Sequence, residues 1–187
     1  PVELECLYMV GDKSTEREHL LPLLVNGRPN QEVGRLMDQG ARPARRGSYR
    51  PKARRSFFTP SRLDVVERLR EEDLLPAIHF IFSRNQCDEA ARSCARQNIK
   101  LTTPDERLRI RQIVEDELDV LGYSEFVEQL EAGIASHHAG MVPPFKETVE
   151  ACFVEGLVKI VFATETLAVG INMPARSVVI EKLTKFT

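Results

Sequence analysis

The sequence predicts an α/β fold in which a parallel sheet is flanked by helices, with a flexible basic insertion near the N-terminus. Between residues 61 and 187, short apolar runs of strand length alternate with amphipathic stretches of helical length. The apolar runs are continuous, which is typical of strands buried on both faces of a parallel sheet. The chain has 187 residues, of which 42% are hydrophobic, so it can build about one domain with a packed core.

The first 25 residues predict a strand followed by a short helix. Apolar side chains alternate with polar ones at the N-terminus, at Val2, Leu4, Cys6, Tyr8 and Val10. This period of two indicates a strand with one buried face. Residues 15–25 are predicted to form a helix that ends near Asn26-Gly27.

Residues 27–60 are predicted to be a flexible insertion, because apolar residues are few and glycines and prolines interrupt any periodicity. Positions 28–56 hold nine basic and two acidic side chains, a net charge of +7 in a chain whose net charge is −2. Two interpretations stay open: a solvated linker, or a tether that binds a polyanion.

The remaining elements follow in order from residue 61. Ser61 is expected to cap a helix over 62–72, and a strand is expected over 77–82. Asn85 is expected to cap the next helix. Thr103-Pro-Asp-Glu106 forms a capping box that opens a long helix ended by Gly122.

The last third of the chain predicts two helices and three strands. Helices are expected over 124–132 and from Pro144 to Gly156. Strands are expected over 134–137, 157–163 and 177–180.

Polar and small residues follow three of these strands, where ligands bind in parallel sheets. Ser83 and Arg84 offer a hydroxyl and a guanidinium beside a helix N-terminus, which suits a phosphate. His138, Ala139 and Gly140 follow the second strand. The third is followed by two hydroxyls, a glycine and an amide, at Thr164, Thr166, Gly170 and Asn172. Each turn alone is also explained by ordinary helix capping or by incidental loop polarity.

Several functional classes are disfavoured. No apolar run approaches the ~20 residues of a membrane span, and no signal peptide is visible. The four cysteines are scattered and predict buried, reduced thiols of a cytoplasmic protein. His137 and His138 are adjacent and are expected to point to opposite faces of a strand, so no metal site is predicted.

The parts that cleave a phosphate are also missing. The sequence contains no G-x-x-x-x-G-K-[ST] loop. Asp88-Glu89-Ala90-Ala91 has the composition of a magnesium-binding acidic box, but it falls inside a predicted helix and is interpreted as helix surface. The chain is therefore expected to hold phosphates without cleaving them unaided.

Three segments resemble consecutive motifs of superfamily 2 helicases, and most closely the superkiller-type (antiviral, exosome-associated) RNA helicases and their bacterial relatives. These segments are Phe80-Ile-Phe-Ser-Arg84, Ala135-Ser-His-His-Ala-Gly-Met141 and Val161-Phe-Ala-Thr-Glu-Thr-Leu-Ala-Val-Gly-Ile-Asn-Met-Pro-Ala175. The resemblance covers 77–187 well, and residues 27–60 have no counterpart in it. It implies that residues 1–187 are the second RecA-like lobe of a two-lobed motor.

The resemblance also implies roles. ATP and Mg²⁺ would bind mainly to the first RecA-like lobe of the same parent chain, and single-stranded RNA, or alternatively DNA, would cross both lobes. The predicted nucleic-acid contacts are Ser83, Arg84, His138, Ala139, Gly140, Thr164 and Thr166. Gly170 and Asn172 would face the nucleotide.

One departure from the family pattern is large. The Gln-x-x-Gly-Arg-x-Gly-Arg motif that supplies the arginine finger would follow soon after Lys182-Leu183, and Arg176 falls in the wrong place to replace it. We therefore expect a lobe that is incomplete at its C-terminal end and inactive by itself, since such fingers contribute about 10³–10⁵ in rate. The alternative is a stand-alone nucleic-acid-binding or protein-interaction module without motor activity.

Overall fold

The computed structural model describes residues 4–13, 17–41, 57–117, 123–164 and 173–181. The chain divides into two compact units, Pro1–Val65 and Val66–Thr187. The assignment of residues 1–187 to one lobe stays a prediction.

The first unit holds short antiparallel strands and one helix. Strand β1 (Leu7–Asp12) pairs with β2 (Arg17–Pro22), and β3 (Leu24–Val25) pairs with β4 (Arg28–Pro29). Helix α1 (Gln31–Ala41) follows, and β5 (Phe57–Phe58) pairs with the free side of β1. Asn26 and Gly27, with φ of 52° and 72°, form the β3–β4 turn, as Asn-Gly favours.

The helix predicted for this unit is wrong, and part of the predicted flexible insertion is helical. Residues 17–22 are a strand and not a helix, because pairing with β1 overrides local propensity and sets Leu20 opposite Met9. The predicted flexible insertion contains α1, which begins after Asn30, whose side chain accepts the Glu32 N–H at 3.0 Å. Val33 on this helix is buried. Residues 42–56, which hold seven of the nine basic side chains, lie outside the described residues.

Helix α2 (Arg62–Glu71) leads into the second unit. Along the chain, β6 (Ala77–Phe80), α3 (Arg84–Arg96), α4 (Pro104–Glu117) and α5 (Ser124–Glu131) come first. They are followed by β7 (Ile134–His137), α6 (Pro143–Val154), β8 (Ile160–Ala163) and β9 (Ser177–Ile180). The four strands form one parallel sheet in the order β7-β8-β6-β9. The predicted α/β fold with a parallel sheet flanked by helices is confirmed.

Helix starts from residue 61 onwards follow the sequence signals with one exception. Thr103 and Glu106 exchange reciprocal hydrogen bonds of 3.2 and 2.8 Å that form the predicted capping box of α4. Ser61 accepts the Asp64 N–H at 3.2 Å at the start of α2. Asn85 is not a cap, because α3 already begins at Arg84 and Ser83 is its N-cap residue.

The sheet is covered on both faces. On one face, α4 and α6 pack over alternate strand residues and form a core that includes Ile113, Val149, Phe153 and Val161. On the other face, α3 buries small side chains at Cys87, Ala90, Ala91 and Cys94. Helix α5 packs against α4 and β7.

Three of the four cysteines are buried and none of the four, all of which the structure describes, forms a disulfide, in agreement with the prediction of reduced, mostly buried thiols. Burial raises the pKa of the Cys152 thiol to about 12, so it stays neutral and acts as an apolar core side chain. Among the helices that the structure describes, none has the length and apolar character needed to cross a bilayer.

Candidate nucleic-acid interface

The carboxyl ends of β6, β7 and β8 lie side by side at one edge of the sheet. Phe80, at the end of β6, is in register with Ala163 of β8, which is in register with His137 of β7. The three turns that follow these strands therefore start from the same edge. The structure brings together Ser83, Arg84, the 138–140 turn and Thr164, which the sequence placed there only by analogy with other parallel sheets.

Ser83 and Arg84 form the first of these turns. Ser83 has extended backbone angles, and its hydroxyl makes no capping hydrogen bond with α3. The helix N-terminus beside it carries partial positive charge. Arg84 is exposed and forms no ion pair with any described residue. Ser83 and Arg84 are the N-cap and first residues of α3, so a hydroxyl and a guanidinium belong to this helix terminus, an arrangement that favours an anion.

The second turn is fixed by hydrogen bonds to the His138 ring. His138 is 6% exposed; its Nε2 lies 3.0 Å from Asp88 Oδ1 on α3, and its Nδ1 accepts the Gly140 N–H at 3.1 Å. Ser136 Oγ donates to the same Asp88 oxygen at 2.6 Å. Ala139 and Gly140 are exposed. The ring therefore holds the turn through hydrogen bonds within the protein, while the backbone at 139–140 faces solvent.

The third turn begins at Thr164, which is buried, with 7% of its surface exposed. Its N–H donates to the His137 carbonyl at 3.3 Å, which fixes it beside the second turn. Thr166, Gly170 and Asn172 lie outside the described residues.

His137 and His138 contact different helices, as side-chain alternation predicts. His137 Nε2 lies 2.7 Å from Glu150 Oε1 on α6, and its ring is 2% exposed. Burial lowers the pKa of His137, the hydrogen bond and charge of Glu150 act to raise it, and Lys146 adds to the lowering. Desolvation of the imidazolium is the larger effect.

His137 is therefore expected to make folding sensitive to acid. Its pKa in the folded chain is below its unfolded value of about 6.5, so the unfolded chain binds more protons between these two values. Its contribution to stability is present above pH ~6.5 and is lost as the pH falls towards the lowered pKa, by at most about 1.4 kcal/mol per pH unit. The free energy of unfolding, measured with urea at several pH values between 7.5 and 5, gives this loss.

The matched variant for this measurement is His137→Gln, which keeps a polar side chain but cannot titrate. It should lose less stability than wild type over the same pH interval. Glu150→Gln removes an interaction that raises the His137 pKa and should leave the acid sensitivity at least as steep as in wild type. Equal pH slopes for wild type and His137→Gln would contradict the assignment.

Sequence reasoning missed two features next to these turns. Asp88 was interpreted as helix surface, but only the neighbouring Glu89 is exposed, while Asp88 binds Ser136 and His138. An open cleft beside the second turn is lined by Arg92, Phe126 and Phe145, among others. The sequence did contain a signal for Asp88. This residue lies one turn into α3, and α3 follows β6, whose carboxyl end is at the same sheet edge as the three turns.

No group of three or more histidine, cysteine, aspartate or glutamate side chains is placed to hold a metal ion within the described ranges.

Comparison with known proteins identifies the relatives of this chain. No protein-family model matches it. It is 46% identical over 188 aligned positions to probable helicase HelY of Mycobacterium tuberculosis. This alignment covers 96% of this chain and 20% of that protein. It is 43% identical over 139 positions to the DExH-box ATP-dependent RNA helicase DExH15 of Arabidopsis thaliana, over 72% of this chain and 11% of that protein.

A third relative is human superkiller complex protein 2, at 40% identity over 131 positions, which cover 66% of this chain and 10% of that protein. The chain thus spans a fifth or less of the length of these relatives. The predicted resemblance is confirmed: within the segment that it spans, the chain belongs to the family of superkiller-type helicases.

Proposed function

We infer that this chain is part of the second RecA-like lobe of an ATP-dependent helicase that moves 3′-to-5′ on single-stranded RNA, with DNA as the alternative strand. One observation carries the proposal: the carboxyl ends of β6, β7 and β8 share one edge, so Arg84, the 138–140 turn and Thr164 can face one phosphate backbone. The helicase names of the relatives support the motor class.

In this proposal the second lobe holds the strand and the first lobe supplies most of the ATP site. Ser83, Arg84 and the exposed backbone of Ala139 and Gly140 contact phosphates, together with the Thr164 and Thr166 turn. His138 contributes by holding its turn. Contacts of this kind position a strand without reading its bases.

ATP and Mg²⁺ are assigned to the cleft between the two lobes. Gly170 and Asn172 would form one wall of that cleft, and the first RecA-like lobe would bind most of the nucleotide. We propose that the chain by itself does not hydrolyse ATP and that the protein acts in the cytoplasm.

Binding to single-stranded oligonucleotides tests these phosphate contacts, which we call the proposed grip. We expect the 187-residue chain to bind labelled U20 and dT20, with an affinity that falls as KCl is raised. Arg84→Ala should weaken binding about fivefold, because one phosphate contact in water contributes about 1 kcal/mol. It should also lower the slope of log K against log[KCl] by about 0.7.

Arg96→Ala is the matched control, since Arg96 is exposed at the far end of the same helix and pairs only loosely, at 3.7 Å, with Glu125. It should bind like wild type. An unchanged salt slope in Arg84→Ala would remove Arg84 from the interface. A wild-type chain that binds neither oligonucleotide would contradict the proposed grip.

The direction of movement is tested separately, by unwinding of duplexes with 3′ or 5′ overhangs by the intact helicase.

A further inference from the structure

Asp88 stands at the centre of a small hydrogen-bonded cluster behind the second turn. It lies in the first half of α3, and its side chain is 35% exposed. One carboxylate oxygen accepts the Ser136 hydroxyl at 2.6 Å and lies 3.0 Å from His138 Nε2. The cluster joins a helix on one face of the sheet to the end of β7, which the sequence alone did not indicate.

The geometry fixes the protonation of the His138 ring. Because Nδ1 accepts the Gly140 N–H, that nitrogen carries no proton, and the ring proton is on Nε2, where it is donated to Asp88. A carboxylate is an acceptor only, so it selects this tautomer. Both ring nitrogens are thus used inside the protein, so the ring offers no unpaired nitrogen to a ligand.

The ring in turn sets the position of the exposed backbone. The Gly140 N–H is tied to the ring, and the Met141 N–H closes the turn on the His138 carbonyl at 3.1 Å. A methyl group placed on Gly140 would lie 3.2 Å from His138 Nδ1 and 3.4 Å from Arg84 Cδ. The Gly140 position therefore lies within contact range of both the His138 ring and the Arg84 side chain, so a change in the ring's hydrogen bond to Gly140 acts on a backbone segment that lies against Arg84.

We propose that Asp88 is a positioning residue that locks the His138 tautomer and thereby sets the exposed Ala139–Gly140 backbone against Arg84 for binding to a phosphate backbone. This inference rests on the proposed function for the identity of the ligand. Asp88 touches no nucleic acid in it and acts only through His138.

Three variants of α3 test the inference in the 187-residue chain. Asp88→Ala removes the acceptor, Asp88→Asn keeps an acceptor oxygen without the charge, and Glu89→Ala changes the exposed neighbouring carboxylate. The readouts are the affinity for labelled U20 and the ring ¹⁵N resonances of His138, assigned with His138→Gln. One neutral tautomer gives two widely separated ring resonances, and exchange between tautomers draws them together.

We expect Asp88→Ala to bind U20 about tenfold more weakly and to show averaged His138 resonances, because the acceptor of the His138 Nε2 proton is lost. Asp88→Asn should retain the separated resonances and most of the affinity. Glu89→Ala should match wild type in both readouts. His138→Phe keeps the ring volume without its nitrogens and should lose affinity to the same extent as Asp88→Ala. If Asp88→Ala does not fold, the affinity of His138→Phe tests whether the ring's hydrogen bonds position the turn.

The outcomes separate this inference from the proposed function. If wild type binds U20 and Asp88→Ala or His138→Phe binds equally well, the positioning role is overturned while the proposed grip stands. Weaker binding by Asp88→Ala with unchanged His138 resonances also overturns it, because Asp88 would then act by another route. A wild-type chain that binds neither U20 nor dT20 removes the proposed grip and this inference with it.

Discussion

Replacing Phe153 with alanine is expected to lower the free energy of unfolding by about 3–5 kcal/mol. Phe153 is fully buried on α6 and belongs to the core between α4, α6 and the sheet. Truncation removes apolar contacts and leaves a cavity in a tightly packed layer. A loss of this size is a large fraction of the 5–15 kcal/mol by which ordinary domains are stable.

Urea unfolding followed by far-UV circular dichroism measures the effect. Val154→Ala is the matched control, because Val154 is the next residue of the same helix and is 56% exposed. Surface substitutions of this kind stay within about 0.5 kcal/mol of wild type. Similar stabilities of Phe153→Ala and Val154→Ala would contradict the burial of Phe153 between α6 and the sheet.

Replacing Gly133 with alanine is expected to destabilise the fold by about 3 kcal/mol, from two sources. Gly133 follows α5 with φ of 81°, a left-handed conformation that disfavours any residue with a Cβ. The added methyl group would also lie 3.0 Å from Thr102 Cγ2 and 3.1 Å from Leu101 Cβ.

The neighbours of Gly133 have little freedom to move. The Gly133 carbonyl accepts the N–H groups of Lys159 at 2.7 Å and Ile160 at 3.1 Å, which fixes it to the start of β8. The Thr102 hydroxyl is bonded to the Glu131 carbonyl, which holds the opposing methyl group in place. The crowding therefore cannot be relieved by a small local shift.

Gly156 provides a control that separates the two sources. It follows α6 with φ of 71°, and a methyl group there would meet nothing within 4 Å. Gly156→Ala should therefore show only the conformational part, about 1–2 kcal/mol. Midpoints of urea unfolding for both variants give the comparison, and equal losses would mean that the crowding around Gly133 is absent.

The fold of the second unit was readable from the sequence because its signals are local. Leu157-Val-Lys-Ile-Val-Phe-Ala163 is apolar enough to be buried on both faces, although the paired strand starts only at Ile160. Thr103 and Glu106 cap a helix whatever the rest of the chain does, because their partners are three residues apart. Such features need no knowledge of distant contacts.

The first unit was read less well because its elements depend on pairing. Residues 17–22 have no strong strand pattern of their own and become β2 through their hydrogen bonds to β1. Helix α1 sits in a segment of low apolar content, and one buried side chain, Val33, is its clearest link to a core. Propensity is a weak guide where a few tertiary contacts outweigh it.

The pattern of apolar and polar residues was enough to predict a parallel α/β fold and to place candidate anion-binding groups after its strands, because short-range order encodes both. The helicase family was predicted from the resemblance of three motifs. The register that aligns Phe80, Ala163 and His137 became visible only in the folded chain, as did the contact of Asp88 with His138 across 50 positions. Hydrogen bonds between side chains so far apart depend on how helices dock on the sheet. No local pattern specifies that docking, since it results from packing the whole core at once.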